Sequence, residues 1–274
     1  IDVGVAMTPT VAVVADHEDA DGGVVITASH NPQEWNGIKC LVRDEIGREG
    51  ASACAPSAAV AAEIIDWFKR GGAMEAPGGS IEARGPNPKW HLDPVLRGVR
   101  ESSGAASVAS RRFGVVLDSV NGAGRLFGPV LLDTLACRLV RLGDDAKGVF
   151  WHTPEPLREN LTGLVDAVRA SRAAVGFAQD PDADRLAIVD ERGEYIGEEY
   201  TLVLAAEALL SEAAKQRDSE TGKKDRVLVT NLSTSRMIDD VAARHGARVV
   251  RTAVGEANVV EAMKREAAAG NDVV

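Results

Sequence analysis

The sequence predicts an α/β protein built as two or three layered units, and two observations carry that expectation. Apolar runs of strand length alternate with amphipathic stretches of helix length, the pattern of sheets packed under helices. Hydrophobic residues make up 45% of the chain but aromatics only 4%. Its cores must therefore be built from Val, Leu, Ile and Ala, as in buried strands covered by Ala-rich helices. A length of 274 residues exceeds one small domain.

Val24–Thr27 and Ile38–Val42 read as strands on either side of a polar loop, and Ala58–Lys69 as a helix stopped by Gly71-Gly72. Glycines and prolines make residues 77–90 a loop or irregular crossing. A new unit is expected from about residue 104. In it, Phe113–Asp118 is a strand, Arg125–Leu135 a helix and Arg138–Leu142 a strand. Leu161–Ser171 follows as a helix, with Ala174–Ala178 and Leu186–Asp190 as strands. After Gly197 come a long helix (Glu198–Lys215), a charged loop (Gln216–Asp225) and strand Val227–Thr230. Helix Thr234–His245, strand Arg248–Thr252, helix Glu256–Ala269 and a strand just begun at Asp272–Val274 complete the pattern. The expected domains are thus 1–103, 104–197 and 198–274. Ile1 at the start and the opening strand at the end read as cut edges.

Net charge is −10, which argues against nucleic acid or an anionic membrane as partner, since both need a basic surface. Cys40, Cys54 and Cys137 match neither a disulfide framework nor a zinc spacing, so they read as reduced cytosolic thiols. With no membrane-length apolar run and no signal peptide, a cytoplasmic location is expected.

Two segments could carry chemistry. In Thr27-Ala28-Ser29-His30-Asn31-Pro32, a strand ends in a small polar loop, and the chain returns through Asn36-Gly37-Ile38-Lys39. A serine nucleophile needs a base or a charged environment, and a lysine of tuned pKa could exchange its proton. A capped turn made of the same turn-forming residues is the plain alternative. In Asp180-Pro181-Asp182-Ala183-Asp184-Arg185, alternation in an extended chain brings three carboxylates to one side. Their repulsion is relieved by a cation, and hard oxygen ligands favour Mg²⁺ or Ca²⁺. Arg185 is placed to grip a phosphate as a planar fork. An EF-hand would also use Asp180, Asp182, Asp184 and Glu191, but its required glycine is Arg185 and its flanks read as strands. A phosphatase with an aspartyl nucleophile stays open, as does a solvated acidic turn.

Two further segments speak less clearly. Asn121-Gly122-Ala123-Gly124 before a helix could face a phosphate or could simply make a tight turn. Thr252 to Asn258 could bind a sugar or cap a helix. His17, His91, His152 and His245 lack a partner at ligand spacing and read as surface or core residues.

The serine segment with Asn36-Gly37-Ile38-Lys39 resembles the active-site loop of the α-D-phosphohexomutase superfamily. The Asp180–Arg185 segment is similar to its metal loop, where glycines often stand at the places of Pro181 and Ala183. Glu155-Pro156-Leu157 with Asn160-Leu161, and Thr252 to Asn258, also resemble the family. The likeness covers essentially the whole chain. It implies related α/β units with mixed sheets sandwiched by helices, and a phosphate moved between the 1- and 6-positions of a hexose phosphate through a hexose bisphosphate. It further implies Ser29 as phosphoryl carrier, and Mg²⁺ on Asp180, Asp182 and Asp184 with Ser29 completing the set. Lys39 is then the candidate acid/base, and His30 and Arg185 assist the phosphate. Gly255 and Glu256 fall in the sugar-binding region. The usual sugar loop of the third domain and the whole fourth domain do not follow, so a fragment of low mutase activity is expected. A metal- or phosphosugar-binding relic and a simple phosphatase are the alternatives.

Overall fold

The computed structural model describes residues 1–43, 53–71, 78–85, 87–101, 104–216 and 225–274. In chain order its elements are α1 (Thr8–His17), β1 (Gly22–Ile26), β2 (Ile38–Arg43), β3 (Ala53–Cys54), α2 (Ala58–Lys69), α3 (Pro88–Glu101) and α4 (Gly104–Arg111). They continue as β4 (Gly114–Asp118), α5 (Gly128–Thr134), β5 (Arg138–Leu142), α6 (Thr162–Ser171), β6 (Val175–Gln179) and β7 (Leu186–Asp190). The last are α7 (Glu199–Gln216), β8 (Arg226–Asn231), α8 (Met237–Arg244), β9 (Arg248–Thr252), α9 (Glu256–Ala268) and β10 (Asp272–Val273). Two compact units divide them, one of residues Ile1–Lys39 with Glu82–Thr201 and the other of Cys40–Ile81 with Leu202–Val274.

The first unit is organised by a four-stranded sheet in the order β5-β4-β6-β7. β4 pairs in parallel with β5 and β6, and β6 pairs antiparallel with β7, so the sheet is mixed. Leu161, Leu164 and Val168 bring α6 down onto Val116, Ala178, Ala187 and Val189, all buried. Gly176 lets α6 approach closely, since a Cβ there would meet Val168 Cγ2 at 2.6 Å. A second apolar cluster joins Met7 to Leu92 and Leu96 of α3 and to Ala123 and Phe127. In the second unit β10, β8 and β9 form a parallel sheet, with Leu210, Ile238 and Val241 buried in its core. This α/β architecture with a mixed sheet is the one expected. Among the described residues no helix is long and apolar enough to cross a membrane.

Four elements (α2, β5, β7 and β9) have the boundaries read from the sequence. The helix expected at Arg125–Leu135 is instead a 3-10 turn, Ala123–Arg125, followed by α5. Gly124 lies against Gln179 and Gly128 against Leu117, and Pro129 then opens the regular helix. The helix expected from Thr234 begins at Met237, because Thr234 N–H turns back to the Asn231 carbonyl. Helix α3 claims residues 88–90 from the expected loop, with Pro88 as its starter. The charged loop 216–225 lies almost wholly outside the described residues.

The loop after β4 is held by a buried carboxylate. Asp118, 1% exposed, accepts hydrogen bonds from Val120 N at 2.9 Å and Trp151 Nε1 at 3.1 Å. Its second oxygen faces His152 Nε2 at 3.0 Å, while His152 Nδ1 faces the Thr153 carbonyl at 2.6 Å. Both ring nitrogens thus point at acceptors, which only an imidazolium satisfies. Burial pulls the His152 pKa down, but the bonds to Asp118 and Thr153 and the Asp118 charge outweigh it and raise it.

Two outcomes are expected. Leu164→Ala should cost about 2–5 kcal/mol in denaturant unfolding, because it opens a cavity where α6 meets the sheet. Since the His152 pKa is raised on folding, its stabilisation is full below about pH 6.5 and is lost as pH rises through the folded value. The melting deficit of His152→Gln against the parent should therefore be largest near pH 6 and shrink toward alkaline pH.

Candidate active site

Ser29 stands just beyond β1, in a loop folded on itself. Asn31 N–H donates to the Ala28 carbonyl and Thr27 N–H to the Gly37 carbonyl, and Ser29 N–H donates to Thr27 Oγ1 at 2.9 Å. Ser29 adopts φ 51°, a left-handed backbone that a serine takes only at a cost. Its hydroxyl donates to Asp180 Oδ2 at 2.9 Å, and His30 Nδ1 lies 3.3 Å from Ser29 Oγ.

Asp180, Asp182 and Asp184 come together as expected, with one ligand atom from each within 4.8 Å of the others. They converge through a turn, however, not through extended alternation. Ala183 N–H closes on the Asp180 carbonyl, and Ala183 has φ 54°. Lys39 Nζ donates to Asp182 Oδ2 at 2.7 Å and Asp184 Oδ2 at 2.6 Å. Burial works to lower the Lys39 pKa, yet its bonds to Asp182 and Asp184 and their charges raise it, so it is held as an ammonium. Asp180 also accepts Arg185 N–H at Oδ1, at 3.1 Å.

Three carboxylates face one ammonium here, which leaves two negative charges uncompensated when all three are ionised. Asp180 is fully buried, and burial together with the charges of Asp182 and Asp184 pushes its pKa up to about 7. Asp182 is held below the usual carboxylate range: burial opposes this, but bonds from Lys39 and Thr8 overcome it. Asp182 Oδ1 is buried with no hydrogen-bond partner. A hard divalent cation fits these residues, because it would take the orphaned oxygen and compensate the remaining charge.

Thr8, not singled out in the sequence, completes the support of Asp182. Its hydroxyl donates to Asp182 Oδ2 at 2.6 Å and its N–H to the Asp182 carbonyl at 3.0 Å. It opens α1, whose N-terminal dipole end favours a carboxylate. Only the Thr8-Pro9 helix-start signal could have pointed to it. The Asn121–Gly124 segment proves to be a seat for the acidic loop. Ala123 N–H donates to the Pro181 carbonyl at 2.7 Å, and a Cβ on Gly122 would meet that carbonyl oxygen at 2.4 Å. Gly255 and Glu256 belong to the second unit, at the start of α9, where Gly255 takes φ 129°.

Residues 1–53, 94–193 and 198–271 match the alpha/beta/alpha domains I, II and III of phosphoglucomutase/phosphomannomutase, in that order. The chain is 37% identical over 264 residues to the phosphoglucomutase/phosphomannomutase of Thermococcus kodakarensis, covering 96% of this chain and 54% of that one. It is 34% identical to a Pyrococcus abyssi protein named "Probable phosphoglucosamine mutase", covering 97% of this chain and 53% of the other. The fold is shared with the crystal structure of a phosphoglucomutase/phosphomannomutase family protein from Burkholderia thailandensis. There the TM-score is 0.73 at 24% identity, over 97% of this chain and 54% of that one. The chain spans about half the length of the curated relatives it matches. Three consecutive domains of one family stand here in the family's own order, and the chain belongs to the phosphoglucomutase/phosphomannomutase family, the α-D-phosphohexomutases.

Proposed function

We propose that the chain carries the phosphoserine chemistry of a phosphohexomutase, moving phosphate between the 1- and 6-positions of a hexose phosphate by way of a hexose bisphosphate. One observation carries this reading. Ser29 Oγ meets Asp180 Oδ2 at 2.9 Å although the residues lie 151 apart in sequence, so a nucleophilic hydroxyl sits on an acidic cluster short of one cation.

In the proposed reaction the phosphoryl group leaves Ser29 Oγ for a sugar hydroxyl. The Ser–O–P bond breaks, a sugar–O–P bond forms, and the proton lost by the sugar hydroxyl is balanced by the one Ser29 Oγ takes up as it leaves. His30, 3.3 Å from Ser29 Oγ, holds or returns the proton at that oxygen. Lys39, kept charged by its carboxylate partners, neutralises phosphate and serves as proton donor. Arg185 offers a fork to a phosphate oxygen pair. Asp180, Asp182 and Asp184 would hold Mg²⁺, with Ser29 beside them. When bound, that ion supplies charge neutralisation for the transferring phosphoryl group. Gly255 and Glu256 are proposed to contact the sugar. The proposed setting is cytoplasmic.

Incubation with a labelled hexose 1,6-bisphosphate should place one phosphate on the protein, and Ser29→Ala should abolish that incorporation. Equal labelling of the Ser29→Ala protein would sink the reading, and release of inorganic phosphate with no isomerised sugar would favour a phosphatase. Chelation with EDTA should slow the transfer by about 10²-fold or more, with recovery on adding Mg²⁺.

A further inference from the structure

The serine loop and the acidic loop meet directly where Ser29 donates to Asp180 and where Lys39, at the loop's return, donates to Asp182 and Asp184. A longer connection joins them as well, and it runs through residues 148–152. Gln33, in the serine loop, uses both ends of its carboxamide on this segment. Its Nε2 donates to the Gly148 carbonyl at 2.8 Å, and its Oε1 accepts Phe150 N–H at 2.8 Å. Gly148 presents its carbonyl from a left-handed turn, φ 71°. The next two residues, Trp151 and His152, hold the two oxygens of Asp118. Asn121 Nδ2 adds a bond to the Val149 carbonyl at 2.6 Å. The loop that Asp118 opens then ends under Pro181, through Ala123 N–H and the close approach of Gly122.

We propose that Gln33 is a positioning residue whose two-point latch on Gly148 and Phe150 fixes Ser29 relative to the acidic loop. The proposal deepens the function above and rests on Ser29 being the phosphoryl carrier. A bidentate amide sets position and orientation together, which one hydrogen bond cannot do. Both latch bonds are exposed, so they contribute little to global stability. Phosphoryl transfer, by contrast, loses about 10²-fold for a misplacement of about 1 Å. A purely structural role and a positioning role therefore separate by experiment.

The test compares the parent with Gln33→Ala and Gln33→Glu, the latter keeping the acceptor for Phe150 N–H but opposing the Gly148 carbonyl. Three quantities are read: the rate of Ser29 labelling by hexose 1,6-bisphosphate, Mn²⁺ affinity, and hydrogen exchange of the 28–37 amides. For Gln33→Ala the expected result is labelling slowed by about 10- to 100-fold, unchanged Mn²⁺ affinity and faster exchange at 28–37. Gln33→Glu should fall between Gln33→Ala and the parent. Unchanged labelling despite faster exchange overturns the positioning role. Labelling lost together with Mn²⁺ affinity also overturns it, since the damage would then lie in the metal loop. If the parent itself takes no label, the carrier reading fails, and exchange alone decides: unaltered exchange at 28–37 in Gln33→Ala removes the latch too.

Discussion

Three carboxylates within ligand distance of one another are the constraint around which the first unit is arranged. Left alone in a buried turn, Asp180, Asp182 and Asp184 would repel one another, and two of them are almost fully buried. Each neighbour answers part of that cost. Lys39 comes from the far side of the serine loop to pair two of the acids, the N-terminus of α1 supplies Thr8, and the serine hydroxyl faces Asp180. Residues from both ends of the first unit's sequence are therefore drawn to one place by charge. The apolar clusters around α6 and α3 hold the backbone that lets them arrive.

What could be read from the sequence was whatever repeats locally. β5, β7 and β9 are short apolar runs bounded by turn residues, and α2 has both a serine N-cap and a glycine after its end. Ser29, Lys39 and the three aspartates were legible because unusual residue types are packed into a few positions. The supports were not legible. Thr8, Gln33, Asp118 and His152 are ordinary residues in ordinary local sequence, and their partners lie 174, 117, 34 and 34 residues away. His152 had read as a surface or core residue because sequence spacing cannot show that two acceptors face its ring. Helix α1 is not legible either: its own periodicity is weak, and it packs on β1 and on α3, the latter about eighty residues on.

Four of the eight non-glycine residues with positive φ among those described stand in the loops that build the site. Ser29 has φ 51°, Val120 φ 46°, Asn121 φ 61° and Ala183 φ 54°, one or more in each of the three loops that build the site. Val120 is the most costly of them, a β-branched residue with no exposure in a left-handed conformation. It is held there by the Asp118 carboxylate on its N–H, so the Asp118–His152 pair offsets strain as well as charge. Strain of this kind persists only where surrounding contacts over-determine it, and these loops are tied at both ends.

Ala183 shows how such a balance can be struck without glycine. Glycine would take φ 54° at no steric cost, whereas alanine there costs roughly 1–2 kcal/mol. Against that, the Ala183 methyl packs on the cluster of Met7, Leu92, Leu96 and Phe127, and burying a methyl group is worth about 0.8 kcal/mol. Alanine also has less freedom to lose on folding than glycine, by about 0.5–1 kcal/mol. The opposing quantities are of equal size, so the turn that gathers the aspartates keeps its shape with either residue. With alanine, it is anchored to the core formed by α3 and the Ala123–Phe127 segment, at the residue that stands between Asp182 and Asp184.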